Sequence, residues 1–148
     1  MPALSTTKYH DVTFALLRIV AALIYMQHGA AKLFGVLGGF GPKPGGTVAL
    51  VSLFGLAGVI EFFGGLLVAF GLFTRPAAFI MSGEMAVAYF MAHFPHGWFP
   101  IRNHGELPVV LCFTFLFFAA HGGGRFSLDR LLGRVQTQPE PEMAEQLS

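Results

Sequence analysis

Between Leu16 and Gly35 the chain reads LLRIVAALIYMQHGAAKLFG, an apolar run of bilayer length that nevertheless carries Arg18, Gln27, His28 and Lys32. Ionisable groups are costly in hydrocarbon, and those found there normally face a bundle interior or a wet cavity with a partner beside them. At about 100° per residue, Arg18, Tyr25, His28 and Lys32 fall within roughly a quarter-turn sector of one helix, with His28 and Lys32 one turn apart. Two carboxylates, Glu61 and Glu84, interrupt later apolar runs. These types permit intramembrane charge pairing, and His28 permits proton exchange near neutral pH with a bound polar head group.

The elements that must position them are membrane helices. Of 148 residues, 54% are hydrophobic and only 11% are charged, against about 25% charged in soluble domains. Mean hydropathy is +0.63. The fold class this predicts is all-α: an integral membrane four-helix bundle of one domain, with runs at about Val12–Phe34, Thr47–Phe73, Pro76–Phe94 and Leu107–Ala120. The fourth run, about 14 residues, is short for a span unless it extends through Glu106 or into His121, or the bilayer thins. Residues 1–11 form a polar head, residues 12–134 the transmembrane unit, and residues 135–148 a disordered tail. Arg18 interrupts any signal-peptide reading of the first run. Between the runs lie a Gly/Pro loop at Gly35–Gly46, a turn at Thr74-Arg75-Pro76 and an aromatic-rich loop at Pro95–Gly105. Phe126–Val135 could lie amphipathically in the interface.

Four crossings put both termini on one side, together with Lys8, Arg18, Arg75, Arg125, Arg130 and Arg134; Lys32, Lys43 and Arg102 fall on the other. The positive-inside rule makes the termini cytoplasmic. At about 1.5 Å per residue, Arg18 then lies roughly 9 Å from the cytoplasmic end, Glu84 roughly 12 Å and Glu61 roughly 18 Å. Arg18, Glu61 and Glu84 are therefore the expected intramembrane ion-pair cluster, Arg18 taking one of the carboxylates bidentately. His28, Lys32, Asn103 and Glu106 share the outer level and form the candidate polar pocket. A purely structural lock competes with function for the first group, and capping of the fourth helix by Asn103 competes for the second.

The same residues exclude several classes. A net charge of +1 with no basic run does not suit nucleic acid. One cysteine, Cys112, permits neither an intrachain disulfide nor a C-x-x-C pair, and reads as a small buried hydrophobe. The histidines lack metal-site spacing, so no metal is assigned. The glycines at 55, 58, 64, 65 and 71 read as helix-packing surfaces rather than phosphate cradles.

Four motifs carry a resemblance: His28-Gly29-x-x-Lys32-Leu33-Phe34-Gly35; Glu61-x-x-Gly64-Gly65-Leu66-Leu67-x-x-x-Gly71-Leu72-Phe73-Thr74-Arg75; Asn103-x-x-Glu106; and Gly124-Arg125-Phe126-Ser127-Leu128-Asp129. In this order the chain resembles the DoxX family of small four-helix membrane proteins, from about Phe14 to Leu132. The resemblance implies a bacterial-type inner (plasma) membrane protein, multi-pass, belonging to a quinone- or thiol-linked oxidoreductase complex. Its partners would be the lipid bilayer and other membrane or redox proteins, and its cofactor a quinone. No haem pair or dinucleotide fingerprint gives it a self-contained active site. The alternative is a non-catalytic membrane scaffold or small transporter-like module.

Overall fold

The computed structural model describes residues 4–134. Nothing breaks the first apolar run before Gly35, so α1 extends over Leu4–Phe34 and takes in most of the expected polar head. After a glycine-rich loop, α2 covers Leu53–Phe70 and α3 covers Thr74–His96. A single helical turn, α4 (Pro100–Asn103), precedes α5 (Glu106–His121), and a second, α6 (Leu128–Leu131), follows it. All regular elements among the described residues are helical.

Three helices, Lys8–Phe34, Leu53–Phe70 and Thr74–His96, are long and apolar enough to cross a membrane. The fourth apolar helix, α5, has 16 residues. It gains Glu106 at one end and His121 at the other relative to the apolar run. Residues 47–52 stay outside α2, because Ser52 caps it by accepting a hydrogen bond from the Gly55 amide at 3.0 Å. The segment after Phe126 expected to lie in the interface holds one capped helical turn, α6, and the C-terminal tail expected to be disordered lies outside the described residues.

Burial runs opposite to a soluble protein. Leu16, Leu17, Val20 and Leu23 of α1, Phe79 and Ile80 of α3, and Val110 and Phe113 of α5 are exposed, whereas Ala21, Ala22, Ala77 and Ala78 are buried with Tyr25, Met81, Phe115 and Phe118. Without a hydrophobic force between helices in lipid, small side chains that admit close backbone approach become the means of packing. The tightest example is Gly29. A Cβ there would lie 2.5 Å from the Phe62 amide nitrogen and 2.8 Å from the Gly58 carbonyl oxygen. One turn further, a Cβ on Gly58 would touch the Lys32 Cβ at 3.2 Å.

The backbone of α2 is also altered here. Ile60–Gly64 forms a π-helical turn, a feature that inserts an extra residue and is frequent at functional positions. Glu61 is the second residue of that turn and is buried. A second π-helical turn, Tyr89–His93, occurs in α3.

Replacing Gly29 tests whether this seam sets helix position. Gly29→Ala should cost about 1–3 kcal/mol through overpacking, visible as a lowered unfolding midpoint in detergent, whereas Gly83→Ala, where a Cβ meets nothing within 4 Å, should not lower it.

Candidate functional site

The polar groups of the helices fall into two separate clusters, one at the Arg18 end and one around Lys32. At the Lys32 level, the close α1–α2 contact brings the Lys32 Nζ to 2.5 Å from Glu61 Oε1, with the two side chains only 12% and 3% exposed. Phe40, from the glycine-rich loop, covers the ammonium with its ring centroid 5.6 Å from Nζ, a cation–π contact. Phe40 itself packs on Phe54 at 5.2 Å. Among the described residues, the second carboxylate oxygen of Glu61, Oε2, is buried without a hydrogen-bond partner, as is the Arg18 Nε.

Deeper in the core, the Tyr25 hydroxyl donates to Glu84 Oε2 at 2.8 Å. Tyr25 is fully buried, its ring edge-on to Phe115 with centroids 4.8 Å apart. Glu61 and Glu84 lie within electrostatic range of each other, and Lys32 acts on both. His28, one turn before Lys32, is exposed. The arrangement is therefore a largely buried ammonium–carboxylate pair next to a pair formed by a buried phenol and a half-buried carboxylate, with an imidazole at its edge.

Arg18 belongs to neither pair. Its guanidinium is 2% exposed and donates to the backbone carbonyls of Gly123, Phe126 (2.7 Å) and Ala69 (3.4 Å). The expected Arg18–Glu61 or Arg18–Glu84 ion pair is thus replaced by carbonyls from the ends of α2 and the segment after α5. The Ala69 carbonyl lies in the last turn of α2 and the other two lie in the irregular segment after α5; backbone carbonyls left outside a helical ladder need such a donor. Depth along the membrane allowed Arg18 to meet the carboxylates, but it is the azimuth of each helix and the return of a loop that choose the partner.

That loop explains two of the sequence motifs. Asp129 accepts hydrogen bonds from the Phe73 amide, the Thr74 amide and the Thr74 hydroxyl, each at 2.9 Å, and so caps α3. Its own amide donates to the Gly71 carbonyl at 2.8 Å. Gly71 has φ +68, and a Cβ there would meet the Ser127 Cα and the Arg18 Nη1, both at 2.9 Å, so only glycine fits the turn. Phe73, with φ 48, takes a conformation unfavourable for a bulky residue, held there by Asp129. Asp129 was not among the sequence candidates; the Ser127-Leu128-Asp129 triplet, in which Ser127 caps α6 by accepting from the Arg130 amide, was the available signal.

The expected outer pocket divides as well. Asn103 is buried, donating to the Gly97 carbonyl at 2.7 Å and the Tyr89 hydroxyl at 3.4 Å, and accepting from the Gly105 amide at 2.9 Å. The His93 Nδ1 lies 3.0 Å from the Asn103 carbonyl oxygen. Asn103 thus organises the loop entering α5. Glu106 is exposed. Among the described residues no hydrogen bond or salt bridge joins Asn103 or Glu106 to His28 or Lys32. Nor do three His, Cys, Asp or Glu side chains among the described residues converge in a metal-binding group. Cys112 is half-buried, with Ser82 donating to its carbonyl at 2.8 Å.

The family profile of DoxX matches residues 13–94, from α1 through the second π-helical turn. An uncharacterized protein of Haemophilus influenzae is 43% identical over 129 residues, covering 82% of this chain and 92% of its own length. Inner membrane protein YqjF of Escherichia coli is 30% identical over 135 residues, covering 86% of this chain and 97% of its own. No solved structure matches.

Two outcomes check this geometry. In double-mutant cycles, Arg18→Leu should cost about 3–5 kcal/mol, the order expected when several charge-assisted hydrogen bonds are lost, and should be additive with Glu61→Gln and Glu84→Gln. For Asp129, burial opposes ionisation, but the hydrogen bonds from Thr74 and Phe73 and the Arg134 charge prevail and hold its carboxyl below the ordinary range. A depressed folded-state value means a stabilisation present in full above the unfolded value of about 3.9 and lost as pH falls through the folded one. Thermal unfolding across this range should therefore show the wild type losing stability below about pH 4 more steeply than Asp129→Asn.

Proposed function

Because this chain belongs to the DoxX family and is a multi-pass protein of the bacterial inner membrane, we propose that it serves as a subunit of a quinone-linked membrane oxidoreductase assembly. Its own contribution is to receive and hold a proton at Glu61. The reading takes α5 as the fourth crossing, making a four-helix bundle, and takes both termini as cytoplasmic from the six-to-three Lys/Arg asymmetry.

The observation that carries it is the orphan oxygen. A buried polar atom without a partner costs of order 1–3 kcal/mol, more when charged, and calls for an explanation. Glu61 Oε2 is such an atom, set in a π-helical turn and held in place through its sister oxygen by Lys32. It is free to accept one hydroxyl proton. A quinone head group fits this chemistry: a reduced one offers the hydroxyl donor that Oε2 lacks, and an oxidised one offers a carbonyl to an ammonium.

When bound, the quinone would supply the electron chemistry. The protein's residues do the rest. Lys32 offsets the charge of Glu61 and keeps the carboxylate oriented. Glu61 takes up the proton at Oε2. Glu84, steadied by the Tyr25 hydroxyl, is a second carboxylate within electrostatic reach to which charge can be passed. His28, exposed one turn before Lys32, places an imidazole able to carry a proton at the edge of the pair. Of the remaining candidates, Asn103 shapes the loop at the mouth of α5, and Glu106 is the exposed first residue of that helix.

A second reading, a non-catalytic scaffold or small transporter, draws on the Arg18–Gly123 and Asp129–Thr74 contacts, which engage two of the four motifs in holding helices together.

The test is binding of a quinone analogue to the purified wild type and to Lys32→Met, Glu61→Gln and His28→Ala at matched folding. Glu61→Gln and Lys32→Met should each weaken binding about tenfold, the equivalent of about 1.4 kcal/mol. A folded wild type that binds no analogue, or variants that all bind as it does, would replace this reading by the scaffold.

A further inference from the structure

A cavity of about 180 Å³ opens at the Arg18 end, between the start of α3 and the segment after α5, with Arg75, Arg134, Thr74, Gly122, Gly123 and Asp129 in its wall. Three features define its chemistry. The first is charge: the guanidiniums of Arg75 and Arg134 stand in the wall, and that of Arg18 lies directly behind it, bonded to the Gly123 carbonyl. Cations therefore outnumber the one carboxylate in the wall, Asp129, whose two oxygens are already engaged by Phe73 and Thr74. Among the described residues neither Arg75 nor Arg134 forms a salt bridge.

The second feature is that both arginines are positioned. The Arg134 guanidinium sits 4.2 Å from the Phe73 ring centroid. Arg75 runs alongside Gly122, where a Cβ would lie 3.3 Å from its Nε; glycine leaves that side open. The third feature is exposed apolar surface. Phe73, in the wall, is 50% exposed, and Leu131 and Leu132, in the segment that joins Asp129 to Arg134, are 81% and 59% exposed. Such apolar side chains suit the acyl chains of a lipid.

We propose that this cavity binds the phosphate of an anionic phospholipid, held between Arg75 and Arg134, with the acyl chains along Phe73, Leu131 and Leu132. Arginine is suited to this, because its fork donates two parallel hydrogen bonds to phosphate oxygens. The same contacts would tie the α2–α3 turn to the segment after α5 from outside, as Arg18 and Asp129 tie them from within.

The experiment is native mass spectrometry of the full-length protein purified with equimolar phosphatidylglycerol and phosphatidylcholine. The wild type should retain phosphatidylglycerol preferentially. Arg75→Gln and Arg134→Gln should each reduce that preference about fivefold, the value of one arginine at an anionic surface. Arg75→Lys should keep most of it, and Arg102→Gln, remote at the other end of the bundle, all of it. Unfolding midpoints establish that the variants are folded; should Arg134→Gln not fold, the two Arg75 variants decide the matter. Equal retention of both lipids by the wild type, or an unchanged preference in Arg75→Gln, would overturn the proposal. Displacement of the lipid by excess inorganic phosphate would also overturn it, showing a site for a soluble anion.

Discussion

A charge taken into hydrocarbon must be satisfied by the protein itself, and this constraint organises the molecule at both of its polar levels. Arg18 is the severest case, because its guanidinium cannot shed its proton. It is met by backbone carbonyls of Gly123, Phe126 and Ala69, three acceptors drawn from two places far apart in the chain. One side chain therefore gathers the end of α2 and the segment after α5 onto α1. Asp129 completes the arrangement by occupying the free amides at the start of α3. The two charges act on backbone groups of opposite kind, a cation on carbonyls and an anion on the amides at the start of α3, the latter where the helix dipole favours it.

Around Lys32 the constraint is met by a direct ion pair, and small residues make that pair possible. Gly29 and Gly58 let the backbones of α1 and α2 approach until side chains one turn later touch, and the π-helical turn at Ile60–Gly64 sets Glu61 into the seam. The outcome is an unequal site. One oxygen of Glu61 is bonded by Lys32 and the other has no donor among the described residues. At the Arg18 end every accessible oxygen of Asp129 is engaged, which is what a fastening needs, whereas an open valence on a buried carboxylate is what proton handling needs. The Arg18 Nε is likewise buried without a partner among the described residues, so the case for proton handling at Glu61 rests on its being a carboxylate, which can take up a proton where a guanidinium has none to gain.

Much of this was legible in the residues themselves. The low charge content and four apolar runs determined an all-helical membrane protein, since hydrocarbon leaves the backbone no alternative but internal hydrogen bonding. The helix limits moved by a few residues: α1 continues back to Leu4 because neither glycine nor proline stops it, and α5 absorbs Glu106 and His121. The motifs beginning at His28, Glu61, Asn103 and Gly124 carried the resemblance to the family, whose profile spans the first two. The exceptional groups, Arg18, Lys32, Glu61 and Glu84, also stood out, because an ionisable residue inside an apolar run is conspicuous whatever its partner.

Which of these groups meet was decided only by the tertiary structure. Counting residues along a helix gives depth, and by depth Arg18 could have reached either carboxylate. Pairing depends in addition on the rotation of each helix about its axis and on which loop folds back into the bundle. Both are set by close contacts between segments distant in the chain: Gly29 on Phe62, Gly71 on Ser127, Gly123 on Thr74. For that reason Glu61 went to Lys32 and Glu84 to Tyr25, Asn103 was spent on its own loop, and Asp129 became the cap of α3. The sequence by itself determined that charges would be buried in a membrane and on which helices; the rotation and close approach of those helices determined what each charge would touch.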